Sequence, residues 1–204
     1  YIMFIHQIFI SLKGSKITDK ECYLESKKSF ELFCKKYNHT YILWTEEKID
    51  NLLKKHNLPT TFRFKFSKID FARYVILNYL GGVYVDLDVI PKDAFNDELI
   101  SDKEYLIYPW LNKRNKYEIC NCIMKFNKGS LHKLIEYSLN QIKEKSKMSY
   151  YDNKPIRYFH QTTGNRMFRR FCLKENKPKL KYTEGLQDKV INYETKAWLS
   201  KSFE

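Results

Sequence analysis

Leu80-Gly-Gly-Val-Tyr-Val-Asp-Leu-Asp-Val-Ile-Pro91 is the stretch on which the fold turns. Two glycines stop whatever precedes it, and Pro91 ends a run rich in β-branched residues, so 83–90 reads as one strand emerging from a sheet. Alternate side chains of an extended strand share a face, which predicts Asp86 and Asp88 projecting the same way, about 6–7 Å apart. Two carboxylates so placed repel each other unless a cation sits beside them. A hard divalent ion, Mn²⁺ or Mg²⁺, meets that need and also grips the two phosphates of a departing diphosphate.

Upstream of the glycines, a helix is expected from about Lys68 to Leu80, with Ala72, Val75, Ile76, Tyr79 and Leu80 on one stripe. Asp70 and Arg73 are spaced i, i+3 on it and so share a face. Further back, the apolar run from Tyr1 to Ile10 reads as a buried first strand. Tyr23, Phe30, Phe33, Cys34 and Tyr37 recur at helical spacing. Tyr41 to Trp44 suits a second strand, and Thr45-Glu-Glu-Lys can cap a helix that turns Ile49, Leu52, Leu53 and His56 inward. Strand, helix, strand, helix is an α/β rhythm.

Downstream, Tyr105–Tyr108 and Ile119–Phe126 are candidate strands, and Leu131, Leu134, Ile135, Leu139 and Ile142 mark another amphipathic helix. From Met148 onward the periodicity fades. Thr162-Thr-Gly164 reads as a turn into a short basic helix, and the last twenty residues as an irregular closing segment. No repeat or linker interrupts the chain, and 204 residues suit one sizeable core, so 1–204 is read as a single domain.

A net charge of +13 favours anionic partners, but the basic residues are spread along the whole chain. The denser points, Lys113-Arg114-Asn115-Lys116 and Arg166 to Arg170, are short and read as solvated faces, with no nucleic-acid module beside them. Five dispersed cysteines, an odd number, point to reduced thiols, and Cys120-x-Cys122 lacks the second pair a zinc site requires. No stretch reaches the roughly 20 apolar residues of a membrane span. The expectation is a soluble, cytoplasmic chain, with the secretory-pathway lumen the alternative if an anchor upstream of Tyr1 has been removed.

Lys68-Ile-Asp70-Phe-Ala-Arg73-Tyr followed by Leu80-Gly-Gly-Val-Tyr84-Val-Asp86-Leu-Asp88 resembles the DXD sugar-binding region of glycosyltransferase family 32. That family includes Och-type mannosyltransferases and capsular-polysaccharide sugar transferases, and its site is similar to that of the large clostridial glucosylating toxins. Ile5-His-Gln-Ile-Phe9 resembles the family's first strand, and Glu118-Ile-Cys-Asn121 and Thr163-Gly164 match two weaker landmarks. The resemblance implies a GT-A type α/β fold, with a Rossmann-like mixed central sheet flanked by helices. It implies a retaining transfer from a nucleoside-diphosphate sugar, a UDP-sugar or GDP-mannose, to a hydroxyl on a glycan, protein or lipid.

Carried over residue by residue, the resemblance gives catalytic roles to Asp86, Asp88 and Arg73. Asp88 would bind the metal directly, and Asp86 would meet the donor and the metal's waters. Asp70 and Arg73 would orient the donor sugar and its diphosphate. His6, Gln7, Ile8, Phe9, Gly82, Tyr84 and Asn121 complete the implied donor set, with Phe9 standing where the family has a base-stacking Trp. Relatives finish with a His and a Ser-Trp pair over the metal, whereas this sequence ends Trp198-Leu-Ser-Lys-Ser202-Phe-Glu204, so the resemblance implies Ser202, or Glu204, as the candidate third ligand. The missing His keeps a donor-binding protein without turnover as the alternative, ahead of a basic nucleic-acid module. His6 and His160 also fit the role of satisfied core groups.

Overall fold

The computed structural model of the chain describes residues 2–11, 14, 16–111, 117–175 and 180–193. Its first half alternates as the periodicity predicts: β1 (Phe4–Ile8), α1 (Glu21–Tyr37), β2 (Thr40–Trp44), α2 (Glu46–Lys55), α3 (Lys65–Leu80) and β3 (Gly82–Val85). Then follow β4 (Val89–Pro91), α4 (Phe95–Ile100), β5 (Tyr105–Leu111), β6 (Tyr117–Phe126) and α5 (His132–Lys145). The chain continues through α6 (Pro155–Thr162), α7 (Asn165–Arg170) and β7 (Val190–Asn192).

Five strands form the central sheet in the order β2-β1-β3-β6-β5. β1 runs parallel to β2 and β3, whereas β6 is antiparallel to both β3 and β5, so the sheet is mixed. Alternation along the strands divides the core in two. Ile5, Val83, Val85 and Leu106 pack with Phe30, Phe33 and Phe95 of α1 and α4. Ile8, Tyr84, Ile107 and Met124 pack with residues of α2, α3, α5 and α7 on the other face. A helix–sheet–helix sandwich follows.

Two expectations need correction. The first is the single apolar stripe on α3: the helix begins at Lys65, and all but one of residues 67–78 are buried. It lies between the sheet and the helices α2, α5 and α6, so it has no solvent face, and its polar residues find partners inside. Asn78, for example, accepts from the backbone N–H of Leu131 at 3.0 Å. The second is the continuous strand over 83–90. The ladder to β6 ends where Asp86 N donates to Cys122 O at 2.8 Å, and Leu87 and Asp88 form a turn closed by Val89 N on Asp86 O. β4 then leaves the sheet to pair with β7. The aspartates therefore flank a turn, and the shared-face argument does not hold.

Among the segments that showed no period, α6 and β7 are formed elements, and α4 lies between β4 and β5. Gly82 takes φ of 94°, and a Cβ there would lie 2.4 Å from Phe4 O, so only glycine lets β1 and β3 pair at this point. All five cysteines are free. Among the described residues no helix is long and apolar enough to cross a membrane. The basic run 113–116 lies outside the described residues, while Arg169 pairs with Glu118 at 2.5 Å and Arg170 donates to Gln161.

Candidate active site

The turn at Asp86–Asp88 is gripped from several elements. Gln7 of β1 donates to Asp86 O at 3.2 Å and to Ser26 Oγ of α1 at 2.9 Å, while Ser26 donates to Val89 O. Tyr41 of β2 fixes the other end of the Gln7 amide by donating to its Oε1 at 2.8 Å. On the far side Tyr193, just after β7, donates its backbone N–H to Asp88 O at 2.9 Å. Satisfied buried amides of this kind leave the turn one conformation.

Above the turn lies a buried ionic network built from α3, β3 and β6. Arg73 reaches Asp70 at 2.9 Å and Asp86 at 3.3 Å, donates to Asn121 O at 2.8 Å, and stacks 4.6 Å from the Tyr84 ring. Tyr84 donates its hydroxyl to Asp86 Oδ1 at 2.6 Å. Asn121 donates to Asp70 at 3.3 Å and to the Tyr74 hydroxyl at 2.9 Å, and Tyr74 donates to Thr163 O at 2.7 Å. Gly164 closes the circle: a Cβ there would sit 2.9 Å from Asp70 Oδ2, so glycine allows the α6–α7 corner to reach the carboxylate. The weaker sequence landmarks around Asn121 and Gly164 thus converge on one residue, Asp70.

Burial works against the carboxylate charges of this group. Burial pushes Asp86 up, Arg73 pulls it down and Asp88 pushes it up again, leaving it at about 7. Asp70 is likewise raised by burial against the pull of Arg73. Arg73 pairs with two carboxylates, Asp70 and Asp86, and Asp88 is a third carboxylate two residues farther along the partly exposed turn. Hard carboxylate oxygens such as those of Asp86 and Asp88 are the donors a divalent cation selects. Among the described residues no group of three or more His, Cys, Asp and Glu side chains assembles. Ser202 lies outside the described residues.

The other residues named from sequence are placed as follows. Phe9 follows β1 and stays partly exposed, with its N–H on Trp44 O at 2.9 Å. Ile8 is buried in the core. His6 is fully buried, with one ring nitrogen on Gly81 O at 2.9 Å and the other accepting from Trp44 Nε1 at 3.2 Å. Gly82 is not brought to the cluster, since it starts β3 while Asp86 follows its end, on the order of 13 Å away. His160 is partly buried on α6. Sequence reading missed the clamps Ser26 and Tyr41, the hydroxyl of Tyr74, and the approach of Tyr193. Tyr74 alone had a signal, because it follows Arg73 directly.

Residues 14–106 match the family described as a glycosyltransferase sugar-binding region containing a DXD motif. Just under half of the chain is thus similar to a DXD glycosyltransferase sugar-binding region. The matched span holds Asp70, Arg73, Asp86 and Asp88, and the tertiary contacts add Asn121 and Gly164 from beyond it. Inositol phosphoceramide mannosyltransferase 1 of Schizosaccharomyces pombe is 36% identical over 72 residues, 33% of this chain and 22% of that protein. Mannosyl phosphorylinositol ceramide synthase CSH1 of Saccharomyces cerevisiae is 41% identical over 56 residues, 25% of this chain and 15% of its own length. An uncharacterised glycosyltransferase, L373, of Acanthamoeba polyphaga mimivirus is 31% identical over 103 residues, 47% of this chain and 38% of its own. The chain therefore spans well under half the length of these curated relatives. The solved structure titled PaToxG Glycosyltransferase superposes with a TM-score of 0.51 at 14% identity, covering 85% of this chain and 69% of that one. The chain thus has a GT-A type fold.

Proposed function

We propose that this domain transfers a hexose from a nucleoside-diphosphate sugar to the hydroxyl of a lipid headgroup, with a divalent cation, Mn²⁺ or Mg²⁺, at the Asp86–Asp88 turn. The observation that carries the reading is the buried Asp70–Arg73–Asp86 network set directly against that turn. The mannosyltransferase names of the relatives favour mannose as the sugar, and so GDP-mannose over the UDP-sugar preferred from sequence. Their ceramide names favour lipid among the glycan, protein and lipid acceptors.

Asp86 already accepts from Tyr84 and faces Arg73, which supports Asp88 as the direct metal ligand and Asp86 as the contact to donor and metal-bound water. The cation would neutralise charge developing on the departing diphosphate. Arg73, braced on three sides, holds a fixed positive charge at the donor and spends no reorganisation there. Asp70, with Asn121 and Gly164 around it, would hold the sugar hydroxyls. Phe9 offers a partly exposed ring to the base, and His6, Gln7 and Ile8 act from beneath by fixing β1 and the turn. Retention needs no protein nucleophile here: the acceptor hydroxyl attacks the anomeric carbon on the face the diphosphate leaves, and a leaving phosphate oxygen takes its proton.

A panel of nucleoside-diphosphate sugars, each with and without Mn²⁺, tests the reading by thermal stabilisation and by transfer to phosphoinositol lipid. GDP-mannose should raise the melting temperature only when metal is present. A panel in which no nucleotide sugar stabilises the protein would falsify the proposal.

A further inference from the structure

Away from the sugar site, the segment leading into α6 presents a basic and aromatic surface. Residues 146–150 are all exposed, and among them Met148 and Tyr150 leave about half their surface to solvent, 49% and 48%. Lys154 Nζ lies 3.6 Å from the centre of the Tyr150 ring, the Arg157 guanidinium approaches the same ring at 5.5 Å, and Arg157 donates to the Tyr150 hydroxyl. Two cations therefore converge on one exposed ring, and among the described residues neither enters an ion pair. The first turn of α6 holds no acidic side chain, so the positive end of the helix adds to the same field. Arg63 extends the patch, lying 5.4 Å from the Tyr158 ring of α6, although Asp152 offsets its charge.

Like charges packed together at the surface are relieved by an anion, and exposed Met and Tyr side chains among them suit burial at a bilayer interface. The patch also connects to the chemistry. α6 runs from it to the corner where Gly164 touches Asp70, about 12 Å along the helix axis. Phe64, at the start of α3, packs on Tyr158 at 5.5 Å, and Asp70 and Arg73 lie farther along that helix. A headgroup at the patch would thus stand within reach of the sugar.

We infer that the surface formed by Met148, Tyr150, Lys154, Arg157 and Arg63 seats the domain on an anionic lipid bilayer, with the Gly164–Asp70 edge of the sugar site turned toward the headgroups. The inference rests on the lipid-acceptor reading above. It is tested by sedimentation of the protein with phosphatidylcholine vesicles, with and without phosphatidylinositol, in the absence of donor. The protein should partition onto the anionic vesicles only. The Lys154→Ala/Arg157→Ala variant should lose on the order of 25-fold in partition, about fivefold for each cation removed near the surface, whereas Lys28→Ala/Lys35→Ala on α1 should stay within about twofold. Met148→Ser/Tyr150→Ser should also weaken partition. Equal partition onto neutral vesicles, or an equal loss from the α1 pair, overturns the proposal, because overall charge would then explain the binding. Displacement from vesicles by soluble glycerophosphoinositol also overturns it, since a headgroup pocket would then replace the surface. Donor stabilisation of the unaltered protein without vesicles is read separately, and its failure strikes the transferase reading instead.

Discussion

Arg73 and Lys125 are buried alike, 6% and 4% exposed, at opposite ends of the central sheet, and their surroundings differ in kind. Lys125 Nζ donates to Leu99 O at 2.8 Å and Ser101 O at 3.0 Å, the backbone carbonyls at the C-terminal end of α4. Burial lowers its pKa, and the cation serves to close a helix end. Burial would lower Arg73 too, yet Asp86, Tyr84 and Asp70 outweigh it and hold the guanidinium firmly charged. A cavity of ≈ 210 Å³ opens at the Lys125 end, lined by Phe4, Gly81, Gly82 and Lys128. It touches no carboxylate. The carboxylates gathered around a buried arginine are the better marker of chemistry, because strongly perturbed charged groups cluster at functional sites and a hollow lined by none of them lacks that signal.

That contrast can be broken most decisively at the turn. Asp88→Asn should lower metal-dependent transfer by roughly a hundred- to a thousandfold, since a bound cation supplies several kcal/mol in the transition state. Chemical denaturation should show the variant folded, and an unchanged rate would remove Asp88 from the metal.

Arg73→Ala strands the buried Asp70 and the partly exposed Asp86, and should cost about 3–5 kcal/mol of stability together with the donor response. Arg73→Lys sharpens the test: it keeps the charge but loses the fork, so donor stabilisation should fall further than the melting temperature.

Between the two ends lies His6, which burial lowers to about 4. Its folded pKa is below the unfolded value near 6.5, so the unfolded chain binds the extra proton and stability is lost as pH falls from about 6.5 toward 4. Denaturant titrations across that window should show a decline that His6→Gln reduces by about 3 kcal/mol. Equal pH slopes in the two proteins would contradict the burial of a neutral imidazole.

Lys125→Met is the smallest effect, about 1–3 kcal/mol for two carbonyls left without a donor. Donor stabilisation should not change. If it fell as much as in Arg73→Lys, the two ends of the sheet would be coupled and the contrast would fail.

The alternation of β1, α1, β2 and α2 is legible because α1 and α2 each bury one face and leave a helical period, while β1 and β2 are short apolar runs bounded by polar residues. α3 broke the rule: Asp70, Arg73 and Asn78 sit inside, and polar side chains satisfied by distant partners carry no periodic signal. α6 and β7 were hidden for a related reason. Each is too short to show a period, and β7 finds its partner β4 about a hundred residues upstream.

The sequence by itself determined the carboxylates, the arginine and the glycines, since residue type fixes charge, donor number and backbone freedom. Tertiary structure alone decided that Asp86 and Asp88 flank a turn. It alone brought Gln7, Ser26, Asn121, Gly164 and Tyr193 to hold that turn and its arginine. Hydrogen bonds and the fit of a backbone against a carboxylate exist only once residues far apart in the chain are placed within about 3 Å of each other.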